Sequence, residues 1–164
     1  MQISNPIYIL GDVHGEWEAL YRKIKHLELT DCTLICVGDL GIGFTKRPKE
    51  TRLHDIINKF MKKRNIDFLS IRGNHDDPSY FLGQYEYSNF KLLKDYTYLT
   101  LGNDERFLFV GGAISVDRSK PWRREGSTYW SDEVFNWKPN LVWNCDVLIT
   151  HSSPPWNGPV DKSG

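Results

Sequence analysis

Apolar residues in the first half of the chain fall into two kinds of pattern. Short continuous runs at 7–10, 33–37 and 67–71 are typical of buried strands, and glycines at 11, 38 and 73 follow them. The segments between these runs place apolar residues at helical spacing, which predicts helices at 16–27 and 48–61. Helices that separate buried strands favour crossover connections, so we expect an α/β fold with a largely parallel sheet. The residues expected on the buried faces of the two helices are Trp17, Leu20, Ile24 and Leu27, then Leu53, Ile56, Ile57, Phe60 and Met61.

The second half of the chain carries more strand signals than helix signals. Strands are predicted at 96–101, 107–110 and 146–150, and a turn at 102–105 joins the first two. Residues 115–143 are rich in Trp and Arg and lack periodicity, which is typical of a functional loop or a lid. No linker divides the chain, so we predict that residues 1–164 form a single domain.

Composition and charge exclude several classes of protein. With 40% hydrophobic and 26% charged residues, the chain has the composition of a globular domain and not of a disordered one. Its 21 basic and 21 acidic residues cancel, so no overall basic field indicates nucleic acid, although a local patch stays open. No apolar run approaches the roughly 18 residues that a membrane helix needs, and we expect no membrane partner.

The three cysteines indicate a reducing compartment. Cys32, Cys36 and Cys145 are odd in number, and all three lie in apolar surroundings. The C-x3-C spacing of the first two is a poor signature for zinc or for a redox pair. We therefore expect reduced core thiols and a cytoplasmic protein.

Polar clusters follow the first three predicted strands. The clusters at 11–15, 38–41 and 73–76 contribute Asp12, His14, Asp39, Asn74 and His75. Ligands bind beyond the carboxyl ends of parallel strands, so these side chains are predicted to converge. Carboxylate, amide and imidazole ligands together suit a divalent metal such as Mn, Fe or Zn.

A fourth cluster, which contains His151, follows the last predicted strand. In this order the clusters resemble the blocks D-x-H, G-D, G-N-H-[DE] and a lone His of the calcineurin-like metallophosphoesterase superfamily. The resemblance implies a β-sandwich of mixed sheets flanked by helices, and hydrolysis of phosphate esters at a centre of two divalent metal ions. It assigns Asp12 and His14 to the first metal, Asp39 to both metals, and Asn74 and His151 to the second.

The resemblance also implies residues that act on the substrate. His75 would not bind metal but would donate a proton to the leaving oxygen or hold the phosphate. The segment 111–118 with Arg123 is similar to a sub-branch of small bacterial and phage members in which this region lines the site. There Arg118 and Arg123 (or Arg124) would bind the substrate phosphate.

Two departures from the family pattern affect the functional prediction. Ile42 stands where many phosphoprotein phosphatases of the superfamily have an Asp that pairs with the proton-donating His, and no G-H-x-H motif follows His151. We therefore expect a shortened form of a longer parent that binds its second metal weakly, with a natural minimal member as the alternative. A phosphomonoesterase is favoured, and the alternatives are a phosphodiesterase or nuclease and a non-catalytic scaffold.

Other polar and aromatic residues are expected to have ordinary roles. His26 and His54 are interpreted as structural or solvent-facing, and the basic run 46–64 as a solvated helix face. The tryptophans at 122, 130, 137 and 143 are expected in core or lid packing, with stacking on a nucleobase as the alternative.

Overall fold

The predicted order of strands and helices is present in the structure. The computed structural model describes residues 6–85, 87–102, 104–127, 129–142 and 144–152. Its strands are β1 (Ile7–Leu10), β2 (Cys32–Cys36), β3 (Ile66–Ser70), β4 (Phe90–Leu92), β5 (Thr97–Leu101), β6 (Glu105–Val110) and β7 (Val147–Thr150). Its helices are α1 (Trp17–His26), α2 (Arg47–Lys63) and the short α3 (Pro139–Val142), with a 3₁₀ turn at Pro78–Phe81. The sequence pattern did not predict β4, α3 or the 3₁₀ turn, because these elements have only three or four residues and lack the continuous apolar run that indicated β1 and β7.

The strands form two sheets, as expected for the α/β class with mixed sheets. The first sheet has the order β1-β2-β3-β4 and every pairing in it is parallel. In the second sheet, β5 and β6 form an antiparallel pair and β7 adds in parallel to β6. The prediction of a largely parallel sheet is therefore confirmed for the first half of the chain.

The alternation of side chains along the first sheet builds two cores. Leu34 and Phe68 point to the face that α1 and α2 cover. Their neighbours Ile35 and Leu69 point the other way and pack with residues of β5, β6 and β7, among them Phe109. Successive residues of a strand face opposite sides, so buried strands of this kind need cover on both faces. The helices and the second sheet provide that cover, and the metal-ligand candidates lie at the edge where β1, β2 and β3 end.

The buried faces of the two long helices differ in part from the prediction. Trp17, Ile24, Ile57 and Met61 are buried, but Leu27 and Ile56 are half-exposed. Leu27 is exposed because α1 has already ended and residue 27 is its C-cap. Ile56 points outward because the buried stripe of α2 continues through polar residues 50 and 54, at spacings of four and three.

A buried contact between a histidine and a glutamate occupies that part of the α2 stripe. His54 Nε2 lies 3.3 Å from Glu50 Oε1, and neither side chain is reached by solvent. The imidazole packs edge-on against the ring of Phe90, which confirms a structural role for His54. Burial alone would raise the pKa of Glu50, but hydrogen bonds from His54, Thr45 and Gly43 hold it below its usual range.

The remaining expectations about single residues are met in part. Cys32 and Cys36 are buried thiols and Cys145 is partly exposed, while His26 faces solvent. Trp130 is buried, in keeping with core packing, whereas Trp122 and Trp137 are exposed and are not part of the core, which leaves lid packing as a prediction for both. Trp143 lies outside the described residues. Among the helices that the structure describes, none has the length and apolar character needed to cross a membrane.

Candidate metal centre

Backbone hydrogen bonds hold the loops after β1 and β2 against each other. The amides of Val13 and His14 donate to the carbonyl oxygen of Asp39 at 3.0 and 2.8 Å. The amide of Gly15 donates to the carbonyl of Leu40 at 2.9 Å. The clusters that follow two different strands therefore meet, as the position of the strand ends predicted.

Asp12, His14 and Asp39 form one group of candidate ligands. Ligand atoms of the three side chains all lie within 4.8 Å of one another. His14 Nε2 is 3.6 Å from Asp12 Oδ2 and 3.7 Å from Asp39 Oδ2. Two carboxylates and an imidazole on one small surface fit a divalent cation in both charge and ligand type.

His151 and Asn74 form a second group on the other oxygen of Asp39. His151 Nδ1 lies 2.8 Å from the carbonyl oxygen of Val37, which can only accept. In the neutral imidazole, Nδ1 therefore carries the proton and Nε2 presents a lone pair. That lone pair faces Asn74 Oδ1 at 3.0 Å and Asp39 Oδ1 at 3.7 Å. With a neutral His151, three acceptor atoms therefore converge without a proton between them, and a cation stabilises such an arrangement.

The backbone around Asp39 explains why glycines surround these ligands. His14 and Asp39 both have left-handed φ angles, 47° and 51°, a conformation that is uncommon for residues other than glycine and that Asp and His adopt more readily than most. A Cβ at residue 73 would overlap the carboxylate of Asp39, and a Cβ at residue 38 would overlap the ring of His151. Gly73 and Gly38 therefore allow the ligand side chains to approach the backbone of neighbouring loops.

Asp76 is the last residue of the third cluster, and sequence reasoning assigned it no role in the site. Its side chain is fully buried. Oδ1 accepts hydrogen bonds from the amides of Gly41 and Ile42, both at 2.8 Å, and Oδ2 accepts from Gly73 at 2.8 Å and Leu40 at 3.2 Å. Burial raises the pKa of Asp76, and the backbone N–H donors oppose that rise. Asp76 thus ties the loop after β3 to the loop after β2.

His75 lies beside the first group of ligands. Its amide donates to Asp39 Oδ1 at 2.9 Å, and its ring centroid is 5.4 Å from that of His14. Ile42, at the position where an Asp partner was considered, is fully buried. The pKa of Asp117 is lowered mainly by a hydrogen bond from Arg123, and His75 contributes to that lowering to a smaller extent.

The two arginines predicted to bind substrate lie in the irregular segment 115–143. Arg118 is about half exposed, and its Nη1 lies 3.9 Å from Glu133 Oε1. Arg123 Nη2 donates to both oxygens of Asp117 at 2.7 and 2.8 Å. Glu133 also receives a hydrogen bond from the hydroxyl of Ser115, which accepts one from Asn74. Arg118 is therefore linked to the second group of ligands through two side chains that sequence reasoning did not identify.

Comparison with protein families gives the same assignment as the motifs. A family model described as calcineurin-like phosphoesterase matches residues 5–163. The chain belongs to the calcineurin-like phosphoesterase family, which confirms the resemblance and the fold class. A search among curated proteins found no match. Family membership and the Asp-His-Asp group together support metal-dependent hydrolysis of phosphoester bonds.

Proposed function

We propose that this chain is a phosphomonoesterase that uses two divalent cations. The observation that carries the proposal is the position of Asp39 between the two groups of candidate ligands. Its Oδ2 faces His14 at 3.7 Å and its Oδ1 faces His151 at 3.7 Å. One carboxylate that presents a separate oxygen to each group is suited to hold two cations side by side.

The ligand assignment follows from which side chains lie near each oxygen of Asp39. Asp12 and His14 would hold the first cation, and Asn74 and His151 would hold the second. Asn74 supplies a neutral oxygen, which limits the negative charge of the second group. Manganese, iron and zinc all accept such mixed oxygen and nitrogen ligands.

The chain's own residues would bind the substrate and move one proton. Bound cations would supply positive charge for the phosphoryl oxygens and would lower the pKa of a water molecule. His75 stands beside the first group of ligands, where a protonated ring would donate to the leaving oxygen or hold the phosphate. Arg118, half exposed and close to Glu133, would bind a phosphate oxygen at the entrance.

A monoester is favoured over a diester because of the charge that the site offers. A phosphate monoester carries up to two negative charges, one more than a diester. Arg118 and Arg123 would contribute guanidinium groups from the irregular segment, where Arg118 lies 3.9 Å from Glu133 and Arg123 lies 2.7 Å from Asp117. The buried thiols of Cys32 and Cys36 are in keeping with a cytoplasmic location.

The experiment compares two substrates that share a leaving group. Hydrolysis of p-nitrophenyl phosphate and of bis-p-nitrophenyl phosphate is measured with Mn²⁺, with chelator, and with the variant His75→Ala. We expect metal-dependent hydrolysis that is faster for the monoester. Turnover of the diester alone would support a phosphodiesterase, and bound metal without turnover of either ester would support a scaffold.

A further inference from the structure

The amide of Asn74 has two different neighbours. Its Nδ2 lies 3.0 Å from Ser115 Oγ, and its Oδ1 lies 3.0 Å from His151 Nε2. Only the oxygen end of an amide binds a cation, so a rotation by half a turn would place an NH₂ group where a ligand is needed. The orientation of this one side chain therefore decides whether the second cation can bind.

Ser115 is held by a carboxylate that lies in the irregular segment. The amide of Ser115 donates to Glu133 Oε1 at 2.7 Å, and its hydroxyl donates to Glu133 Oε2 at 2.8 Å. Glu133 is fully buried and Ser115 nearly so. A hydroxyl has one hydrogen, and a carboxylate only accepts, so that hydrogen points to Glu133. The lone pairs of Ser115 Oγ are left to face Asn74, and they accept from Nδ2.

The position of Glu133 is itself fixed by the loop that carries Asn74. Arg72, two residues before Asn74, donates from Nη1 to the carbonyls of Asp132 and Glu133 at 3.0 and 2.6 Å. The same guanidinium donates to Asp95 from Nε and Nη2. The irregular segment is thus joined to the end of β3 at the point where Glu133 turns inward.

We infer that Glu133 is a positioning residue: through Ser115 it orients the amide of Asn74 so that the oxygen faces the cation site. This inference rests on the proposed ligand role of Asn74. A carboxylate at 133 makes Ser115 Oγ an acceptor towards Asn74. A donor that faced Ser115 Oγ from position 133 would reverse both hydrogen bonds of that hydroxyl.

The variant Glu133→Gln tests the direction of the hydrogen bonds at Ser115 Oγ, because Gln has nearly the same size and shape as Glu. The amide of Ser115 can only donate, so the oxygen of the introduced side chain must face it. The NH₂ group of that side chain must then face Ser115 Oγ and donate to it. The hydroxyl hydrogen of Ser115 would then point towards Asn74. It would favour the rotated amide, in which Oδ1 faces Ser115 and the NH₂ group faces His151. A role in packing alone would tolerate this change.

The assay is Mn²⁺ binding by the full chain, measured by calorimetric titration, with thermal unfolding of each variant recorded in parallel. We expect Glu133→Gln to weaken the weaker of two binding events by about 10- to 100-fold and to leave the stronger event unchanged, as is typical when a partner of a metal ligand is altered. Asp132→Asn is the matched control, because it removes the same charge from the adjacent exposed residue. It should bind Mn²⁺ like the parent.

A double-mutant cycle adds a test of rescue. In Asn74→Asp, the introduced carboxylate accepts at both oxygens, so it tolerates a donating Ser115. We therefore expect Glu133→Gln to cost much less Mn²⁺ affinity in the Asn74→Asp background than in the parent.

Two results would overturn the inference. One is parent-like binding of both Mn²⁺ ions by Glu133→Gln, and the other is an equal loss in both backgrounds. If Glu133→Gln does not fold, Ser115→Ala takes its place, since it keeps Glu133 and removes only the hydroxyl. Parent-like affinity in that variant would equally overturn the inference. A parent chain that binds fewer than two Mn²⁺ ions would instead contradict the proposed function.

Discussion

Replacing Asp76 by Asn tests whether this buried carboxylate holds the loops of the metal centre together. Asp76 accepts four backbone N–H groups, two on each oxygen. In Asp76→Asn, one oxygen becomes an NH₂ group, which cannot accept from the two amides that face it. The oxygen that remains can satisfy only one of the two pairs.

The cost follows from the number of amides left without an acceptor. A buried donor that loses its partner costs about 1–3 kcal/mol, so two of them cost about 2–6 kcal/mol. A domain of this size loses roughly 2–4 °C in Tm for each kcal/mol. Asp76→Asn should therefore lower Tm by about 4–24 °C. The free-energy cost behind this shift, about 2–6 kcal/mol, is a large part of the roughly 5–15 kcal/mol by which an ordinary domain is stable.

The assays are thermal unfolding, which gives Tm, and urea unfolding, which gives the free energy of unfolding. Both are done at neutral pH with chelator present, so that metal binding does not contribute. Asp77→Asn is the matched control, since Asp77 accepts a hydrogen bond from Ser79 at the start of the 3₁₀ turn and Asn caps such turns equally well. The control should stay within about 0.5 kcal/mol of the parent. If Asp76→Asn also stayed within about 1 kcal/mol, Asp76 would be a neutral acid, and the account of four accepted hydrogen bonds would be wrong.

Four further changes test other parts of the account. Asp39→Asn should lower Mn²⁺ affinity more than any other ligand change, because it removes charge from both cation sites, and equilibrium dialysis measures this. His75→Ala should keep bound metal but lose about 10²- to 10⁴-fold in turnover of p-nitrophenyl phosphate; loss of metal would instead make His75 a ligand. Arg118→Ala should mainly raise KM in steady-state kinetics, and unchanged kinetics would leave it a structural residue. Because the pKa of Glu50 is lower in the fold than its ordinary value of 4.5, the ionised side chain stabilises the fold at pH values above 4.5. This contribution is lost as the pH falls through the lowered pKa. In a pH series of thermal unfolding, Glu50→Gln should therefore lose less Tm between neutral and acid pH than the parent does.

The candidate ligands could be located from sequence because each follows a buried strand and stands beside glycine. Parallel strands end at one edge of the sheet, so residues far apart in the chain, such as His14 and Asp39, were expected to meet. The left-handed backbone at both positions and the close approach at Gly73 became visible only in the structure.

The residues that support the ligands were missed for identifiable physical reasons. Asp76 acts on amides 34 to 36 residues earlier in the chain, a distance that no local pattern reports. Glu133 lies in a segment without periodicity, where a buried carboxylate has no signature. The sequence left open whether His54 is structural or faces solvent. In a basic helix, nothing in the sequence distinguishes its partner Glu50 from an exposed charged residue.

The central claim is that cations held at the ends of β1, β2, β3 and β7 enable hydrolysis of phosphate esters. The most direct test titrates metal-free protein with Mn²⁺ and measures bound metal and turnover of p-nitrophenyl phosphate in the same samples. We predict no turnover before metal is added, and turnover that rises as the second, weaker Mn²⁺ site fills. Undiminished turnover by the chelator-treated chain would contradict the account. So would two bound Mn²⁺ ions without hydrolysis of p-nitrophenyl phosphate or of bis-p-nitrophenyl phosphate.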